Sequence, residues 1–411
     1  MNDTTEHPPA DIEELRDSLV RELRDLRALR TSEVERAIRA VPRHLFVPEV
    51  PLSEAFAAQR AVVTKRDATG VSISSVSAVR VQAFMLEQAA IRPGMRVLEI
   101  GSGGYNAALI WELVGPSGEV TTIDIDPEVV ERARRCLTAA GYERVRVMRA
   151  DGEEGEPKQA PYDRILVTAG AWAISPAWVE QLAEGGRIVV PLRMRGLTRS
   201  VALEREDERL VSRSYELCGF VPMQGAGERR ERLAILHEEE GREVGLRLDD
   251  EQSVDAERLG AALRRPPATA WSGVTVGGME PFDDLDLWLA TVLRDFALLA
   301  AGPAAREAGL VKSASPMGVP TLLDHGSGSF AYRTVRSTGE KDRYELGAYA
   351  HGPQAEAVAD RLVRQIRDWD ERQRGGPGPR FEVLPADTPH QQLPFGRVLD
   401  KGRTKVSISW P

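Results

Sequence analysis

The chain has 411 residues, of which 42% are hydrophobic and 28% charged, and its formal net charge is −9. This composition excludes a disordered chain and predicts two or three folded domains. The acidic balance argues against a primary role in nucleic-acid binding, because contact with phosphates usually needs a basic surface. Since we find no signal-peptide pattern and no apolar run of membrane-spanning length, we expect a cytoplasmic protein that does not enter a membrane.

The N-terminal part is predicted to be helical after a short tail. Residues 1–10 are predicted to be a disordered tail, and leucine spacing predicts an amphipathic helix over 11–30. Ser32 and Glu35 form a candidate capping box for a second helix that ends near Val41. A further helix is expected over residues 79–90.

The most informative stretch is residues 97–105, where a buried strand ends in a glycine-rich turn. Glycines let the backbone approach a ligand, and Asp124, which ends the next strand, can accept both hydroxyls of a ribose. Dinucleotide-binding enzymes space three glycines around a pyrophosphate, whereas here Gly101 and Gly103 lie close together just after Glu99. A carboxylate there suits a cationic cofactor such as S-adenosylmethionine. An ordinary strand–helix turn remains the alternative.

Strands and helices alternate after this turn. The pattern predicts a helix over 127–140 and strands over 144–150, 164–170 and 187–192, which together indicate a doubly wound parallel α/β sheet. The ends of the first three strands would bring Glu99, Asp124 and Asp151 to one edge, where ligands bind. Antiparallel strands are expected to finish this sheet, at residues 200–204, 210–220 and 233–237.

The sequence pattern changes at the charged run 238–243. We expect a domain boundary there, between a catalytic domain of residues 11–240 and an α+β region of residues 241–411. In this second region the pattern predicts helices over 285–300 and 354–370 and strands over 329–335, 344–350, 381–384 and 405–410. It contains no recognisable chemical motif. The two cysteines, Cys136 and Cys218, and the six histidines lack metal-ligand spacing, so no metal site is expected.

Several motifs, in this order, resemble those of protein-L-isoaspartate O-methyltransferases. They are residues 41–48 (VPRHLFVP), 72–75 (SISS), the glycine turn, 151–152 (DG), 160–163 (APYD) and 182–188 (LAEGGRI). The resemblance covers about residues 10–237. It implies a Rossmann-like class I S-adenosylmethionine-dependent methyltransferase that methylates a peptide carboxylate and releases S-adenosyl-L-homocysteine.

The chain departs from the repair enzymes at Val76 and Ser77, which replace a proline and a histidine, and it adds about 170 residues. Residues 99–108, 218–225, 271–274 and 285–289 resemble the "FxLD system" methyltransferases, which occur with lanthipeptide and other ribosomal-peptide clusters. This resemblance implies methylation of an aspartate in a modified precursor peptide, a lanthipeptide or graspetide. The ester would then close to a succinimide (aspartimide), which persists or hydrolyses to isoaspartate.

The resemblance also implies a set of site residues. The catalytic candidate is Ser74; the substrate-binding candidates are Ser72, Ser75, Tyr105 and Gln224; the cofactor-binding candidates are Glu99, Gly101, Ser102, Gly103, Asp124, Ile125, Asp151 and Gly152. Structural alternatives stay open: Glu99 could only cap a helix, Asp151 could only form a turn, and the serines could be a polar loop. Tyr105 and Gln224 could equally be structural.

Two other functions remain open. Repair of isoaspartyl proteins shares the fold and cofactor, but the Val76–Ser77 change and the added region argue against it. A non-catalytic peptide-binding protein is the second alternative, and the retained Glu99, Asp124 and Asp151 argue against that. The expected partner is a modified precursor peptide, with no nucleic acid and no membrane; the sequence leaves the oligomeric state open.

Overall fold

The structure is a computed structural model that describes residues 9–249, 251–312, 315 and 317–411. Of the predicted tail, residues 1–8 lie outside this part, and residues 9–10 open the first helix instead. The helices are α1 (Pro9–Asp25), α2 (Ser32–Ala40), α3 (Leu52–Ala55), α4 (Val79–Ala89), α5 (Tyr105–Val114), α6 (Pro127–Ala139), α7 (Pro176–Gln181), α8 (Ala256–Leu263), α9 (Asp283–Val292), α10 (Pro303–Glu307) and α11 (Ala355–Arg372). The strands are β1 (Val62–Arg66), β2 (Ser72–Val76), β3 (Arg96–Ile100), β4 (Glu119–Asp124), β5 (Arg146–Arg149), β6 (Tyr162–Val167), β7 (Leu182–Met194), β8 (Leu197–Glu206), β9 (Arg209–Leu217), β10 (Arg232–His237), β11 (Val244–Leu248), β12 (Ala268–Gly277), β13 (Phe296–Ala301), β14 (Val319–Asp324), β15 (Ser329–Ser337), β16 (Arg343–His351), β17 (Arg380–Pro385), β18 (Arg397–Asp400) and β19 (Thr404–Ser409).

The first sheet has the strand order β18-β19-β17-β9-β8-β7-β6-β3-β4-β5. The pairs β3–β4, β4–β5, β3–β6 and β6–β7 are parallel, whereas β7–β8 and β8–β9 are antiparallel. From β3 the chain builds outward through β4 and β5, and then crosses to the other side of β3 with β6. The predicted doubly wound sheet is therefore confirmed, and its order reverses at β3, where a ligand crevice is expected.

Side chains of β3 alternate between two hydrophobic cores, as the period of a strand requires. Val97 packs into the core formed with the N-terminal helices and α4 and α5. Leu98 packs into the core on the opposite face, which also holds Trp178 of α7 and Phe381 of β17. All four side chains are fully buried, and each such burial stabilises the fold by roughly 1.5–3 kcal/mol. The parallel strands are thus covered on both faces.

A second sheet has the order β10-β11-β13-β14-β15-β16-β12, and its described pairs are all antiparallel. Helix α11 packs across β12, β15 and β16. Its buried face includes Val358, Leu362 and Ile366, which recur every four residues as in an amphipathic helix. The helix predicted over 354–370 is confirmed.

Two predicted elements are wrong. Residues 233–237 do not end the first sheet, because β10 pairs with β11 in the second. The helix predicted over 285–300 ends at Val292, and Phe296 begins strand β13. The guanidinium of Arg195 donates to the carbonyl oxygens of Ala290 (2.9 Å) and Leu293 (2.6 Å) and so ends the helix. A continuous apolar run does not distinguish a buried helix from a buried strand.

The expected boundary after residue 240 also differs from the structure. It falls in the turn between β10 and β11, inside one hairpin of the second sheet. In addition, β17 returns to the first sheet, where Glu382 pairs with Val211 of β9, and β19 and β18 continue outward from it. The last strands therefore extend the first sheet, which carries the site. They also cover the edge of β9, which would otherwise be open.

The second helix begins at Ser32, and its capping residue is one position earlier than predicted. The side chain of Thr31 accepts a hydrogen bond from the backbone N–H of Val34. Glu35, the expected partner in a capping box, instead forms an ion pair with Arg39 at 2.9 Å. The capping-box prediction at Ser32 is therefore wrong.

Candidate active site

A cavity opens at the carboxyl ends of β3 and β4. The β1–β2 hairpin, the glycine turn and residues 221–224 form its other walls. Its lining residues are Ile73, Ser74, Ser75, Ile100, Gly101, Ser102, Gly103, Ile123, Asp124, Ile125, Gly152, Thr168, Ala169, Val221, Pro222, Met223 and Gln224. Most of the predicted site residues therefore lie together, at the switch point of the sheet.

The glycine turn needs glycine at Gly101 for two reasons. The φ angle of Gly101 is +97°, which disfavours any residue with a side chain. A Cβ atom there would also lie 2.6 Å from the Thr168 hydroxyl oxygen. The next residue, Ser102, donates its backbone N–H to the Asp124 carboxylate at 3.0 Å. The turn is thus fixed to the end of β4.

Asp124 is the acidic group of this cavity. It is half-buried, and burial raises the pKa of its carboxyl group. Its two oxygens accept the backbone N–H groups of Ser102 and Asp126, at 3.0 and 2.9 Å. A carboxylate can accept about four hydrogen bonds, so Asp124 retains capacity for a pair of ligand hydroxyls.

The β1–β2 hairpin forms the opposite wall of the cavity. The hydroxyl of Thr64 donates to the hydroxyl oxygen of Ser74 at 3.0 Å. Gln224 donates its side-chain amide to the carbonyl oxygen of Ile73 at 3.4 Å, which joins the hairpin to residues 221–224. Lys65 forms an ion pair with Asp126 at 2.6 Å and so fixes the hairpin beside β4.

Glu99 does not reach the cavity, contrary to its predicted cofactor role. Its side chain is fully buried on the face of β3 that packs against α5. The Asn106 amide and the Thr122 hydroxyl donate to its two oxygens, at 2.8 and 2.5 Å. Adjacent residues of a strand point to opposite faces of the sheet, and the prediction did not take this alternation into account. Burial raises the pKa of Glu99 to about 7.

The raised pKa of Glu99 predicts a specific dependence of stability on pH. The folded state holds the proton more tightly than the unfolded chain, so the free energy of unfolding should fall as pH rises from about 4.5 to about 7. Glu99→Gln should abolish this slope and stabilise the protein above pH 7 by up to about 3 kcal/mol. Urea unfolding across this pH range measures it, and identical pH profiles of the two proteins would contradict it.

Three other predicted residues lie outside the lining. Tyr105 is fully buried with its ring 5.5 Å from that of Phe46, so the prediction that it lines the peptide cleft is wrong. The hydroxyl of Ser72 accepts from Arg66 at 3.0 Å, at the outer part of the hairpin. Asp151 accepts the N–H of Glu153 and that of Ala226, both at 2.9 Å. These contacts match the turn alternative for Asp151 and join it to the loop after Gln224.

The sequence did not predict the part of the wall formed by Thr168, Ala169 and residues 221–223, although it did predict Gln224. Thr168 donates its hydroxyl to the carbonyl oxygen of Gly101 at 2.8 Å. Gly170 exchanges backbone hydrogen bonds with Val221 and Met223, at 2.8 and 3.0 Å. The polar residue at the end of a parallel strand was the available signal for Thr168. No local pattern marks Met223, because its position depends on a long-range bridge.

The described residues contain no group of three or more His, Cys, Asp or Glu side chains that could hold a metal ion. Among the described helices, none is both long and apolar enough to span a membrane. Cys136 and Cys218 are both free thiols.

The fold and the cavity define a class of enzyme. A parallel sheet that reverses at β3, a bunched glycine turn and an acid ending β4 are the features of a Rossmann-like class I S-adenosylmethionine-dependent methyltransferase. The family model of protein-L-isoaspartate(D-aspartate) O-methyltransferase matches residues 14–228. The chain belongs to this family, whose members are S-adenosylmethionine-dependent carboxyl O-methyltransferases. The non-catalytic alternative is therefore set aside.

Two relatives with about 40% sequence identity agree with this assignment. The protein-L-isoaspartate O-methyltransferase of Methanopyrus kandleri is 39% identical over 213 residues, which cover 51% of this chain and 91% of the relative. That of Ignicoccus hospitalis is 42% identical over 217 residues, which cover 52% and 98%. A solved structure of a protein-L-isoaspartate O-methyltransferase is 22% identical, with a TM-score of 0.48 over 87% of this chain and 92% of that one.

Proposed function

We propose that this chain methylates the side-chain carboxylate of an aspartyl residue within a peptide, at the cavity beside β3. The proposal rests on two walls of the cavity that face each other. The glycine turn and Asp124 form one wall, and residues Ser74 and Ser75 of β2 form the other. A cofactor on the first wall and a carboxylate on the second would meet inside one cavity.

The first wall fits the cofactor. The hydroxyl of Ser102 is buried and has no hydrogen-bond partner in the described part of the chain. Asp124 would accept ribose hydroxyls, and Gly101 and Gly103 would let the backbone approach the ligand. Ile125, Asp151 and Gly152 are the candidates for the adenine end. S-adenosylmethionine, when bound, supplies an electrophilic methyl group.

The second wall needs only to orient the acceptor. A carboxylate is already nucleophilic, so no general base is needed. Alignment of reacting groups can by itself lower a barrier by roughly 7–11 kcal/mol. When the Thr64 hydroxyl donates to the Ser74 oxygen, 3.0 Å away, the Ser74 hydroxyl can direct its own hydrogen to a substrate carboxylate. Ser74 is therefore our candidate for the orienting group.

Replacement of Ser74 tests this role. Ser74→Ala should lower kcat/KM for methyl transfer roughly 10- to 100-fold, the effect of one hydrogen bond to a charged group. The affinity for S-adenosylmethionine should stay within about two-fold, because Ser74 would not bind the cofactor. Ser72→Ala is the matched control, since Ser72 lies on the same strand and binds Arg66 instead. Equal losses in both variants, or a parallel loss of cofactor affinity in Ser74→Ala, would contradict the assignment.

The finer proposal concerns the acceptor, an aspartate of a ribosomally made and modified peptide. Two features of this chain support it. Val76 is buried in the core, and the backbone carbonyl oxygen of Ser77, which is only half-buried, accepts from Arg43 at 2.9 Å. The region beyond residue 228, including the whole second sheet, lies outside the matched family model. The archaeal relatives support the second candidate, repair of isoaspartyl residues.

Direct competition between acceptors separates the two candidates. The tailoring function predicts faster methylation of a cyclised precursor peptide than of its linear form or of an isoaspartyl hexapeptide. A macrocycle holds the acceptor in few conformations and so lowers the entropy lost on binding. Mass spectrometry would follow the gain of a methyl group and the later loss of methanol. Equal or faster turnover of the isoaspartyl hexapeptide would favour repair.

A further inference from the structure

A second concave surface lies far from the cavity, at the β18 end of the first sheet. We name it the edge groove. Its lining residues are Trp288, Thr291, Val292, Arg372, Gln373, His390, Leu393, Pro394, Phe395, Gly396, Arg397, Val398, Ile408 and Trp410. It is formed by α9, the end of α11 and strands β18 and β19. None of these residues belongs to the proposed methyl-transfer site.

The edge groove exposes aromatic surface. Phe395 is 97% exposed, and Val292, the last residue of α9, is also exposed. The rings of Trp288 and Trp410 meet edge to face at 5.4 Å, and Trp410 is fixed by a hydrogen bond to the Thr291 hydroxyl. An exposed phenylalanine next to ordered tryptophans indicates an interaction surface rather than an unsupported loop.

The charge of the edge groove is opposite to that of the protein. Arg372 and Arg397 line it, and no ion pair within the described part of the chain includes either residue. The Nε atom of Arg397 is buried and has no hydrogen-bond partner there. No carboxylate contributes to the lining, and the nearest acid on β18, Asp400, already accepts the N–H of Gly402 at 2.8 Å. Charge complementarity therefore favours an acidic partner.

The edge of the sheet adds a backbone contribution. Strand β18 is hydrogen-bonded to β19 on one side and has no strand neighbour on the other among the described residues. An open edge can accept an extended peptide as a further strand, whose alternate side chains then enter the adjacent groove. A second copy of this chain, whose net charge is −9, is the alternative occupant, and a measurement of the oligomeric state tests it.

We propose that the edge groove binds an extended acidic segment of the peptide substrate, along β18 and apart from the residue that is methylated. The source of this segment rests on the proposed function. Seven strand steps separate β18 from β3 in the sheet order. At ~4.8 Å per step this is roughly 34 Å, so roughly ten extended residues would join the two sites.

Peptide binding tests the edge groove independently of catalysis. The probe is a fluorescein-labelled peptide of alternating glutamate and valine with one tyrosine, compared with the same peptide carrying lysine for glutamate. Fluorescence polarisation should show at least about ten-fold tighter binding of the acidic peptide. Arg372→Glu and Arg397→Glu should each weaken it by about ten-fold, whereas Arg364→Glu, at an exposed position on the same helix, should not. Equal binding of both peptides would overturn the proposal.

Two further measurements keep the result interpretable. If Arg397→Glu does not fold, Phe395→Ala removes an exposed ring without altering the core, and it should also weaken the acidic peptide. Sedimentation of the wild-type and Arg372→Glu proteins distinguishes a second copy of the chain. A change of oligomeric state without binding of the acidic peptide would overturn the proposal in favour of self-association.

A methyl-transfer assay tests whether the edge groove binds the peptide substrate. An acceptor peptide joined to the acidic segment by roughly ten residues should show a lower KM and an unchanged kcat, and a linker of roughly four residues should lose this gain. Arg372→Glu should remove the gain but leave turnover of the bare acceptor unchanged. Acidic-peptide binding without methylation of any peptide would count against the proposed function. Methylation with no effect of the acidic segment would overturn the edge groove.

Discussion

Asp124→Ala should weaken the binding of S-adenosylmethionine by an order of magnitude or more. The variant loses the only cavity carboxylate among the described lining residues, and hydrogen bonds to a charged group contribute roughly 1.5–3 kcal/mol. It also frees the backbone N–H of Ser102, which loosens the glycine turn. Isothermal titration calorimetry of the purified protein measures the change.

The matched control for Asp124 is Asp163→Ala. Asp163 also accepts a backbone N–H, that of Arg96 at 2.8 Å, but at the amino end of β3, on the opposite edge of the sheet. This variant should keep the cofactor affinity within about two-fold, since it leaves the cavity intact. A folded Asp124→Ala protein with wild-type affinity would show that Asp124 does not hold the cofactor.

Arg43→Met should lower the free energy of unfolding by about 4 kcal/mol or more. Arg43 is 1% exposed and donates to the carbonyl oxygens of Ala55 (2.7 Å) and Ser77 (2.9 Å) and to the side chain of Gln82 (3.1 Å). Methionine keeps much of the volume but leaves three acceptors without this donor, and the two that are buried each cost roughly 1–3 kcal/mol. Its guanidinium also lies 4.7 Å from the centre of the Tyr105 ring.

Urea unfolding of Arg43→Met should be compared with that of Arg36→Met, which changes an exposed arginine on α2 and should alter stability by less than about 0.5 kcal/mol. Because Ser77 directly follows β2, the loss of Arg43 should also lower methyl transfer more than cofactor affinity. Equal stability of the two variants would mean that the buried hydrogen bonds of Arg43 contribute nothing net.

The sequence predicted the parallel part of the first sheet well, because its signals are local. Each buried strand ends in a turn residue such as Gly101, Asp124 or Asp151, and the alternation with helices defines the topology. Ser74 was assigned to the site only because of the motif resemblance, and its position opposite Asp124 was not predicted. The spacing alone contains no information about how the β1–β2 hairpin folds back over the cavity.

The missed features depend on orientation or on long-range pairing. Glu99 lies two residues before Gly101, yet the pleat turns its side chain away from the cavity and into contact with Asn106. The apolar run after residue 284 changes from helix to strand where Arg195, nearly a hundred residues earlier, donates to the last carbonyl oxygens of the helix. The return of β17 to β9 has no counterpart in the local pattern, since both strands alternate as any strand does.

The second half of the chain is physically coupled to the cavity. Residues 221–224 line the cavity and then lead directly into β10 of the second sheet. On this route Asp151 accepts the backbone N–H of Ala226 at 2.9 Å. The C-terminal strand β17 pairs with β9, which precedes the same loop. The region beyond the matched family model is therefore connected to the loop that closes the site.

The most direct test of the central claim is transfer of a labelled methyl group from S-adenosylmethionine to a peptide. We expect label in an aspartyl or isoaspartyl peptide with the wild-type protein, lost at alkaline pH as a carboxyl methyl ester, and at least ten-fold less with Asp124→Ala, as expected for a loss of about 1.4 kcal/mol or more. An alkali-stable label, or equal labelling by the wild-type and Asp124→Ala proteins, would contradict carboxyl methyl transfer at this cavity.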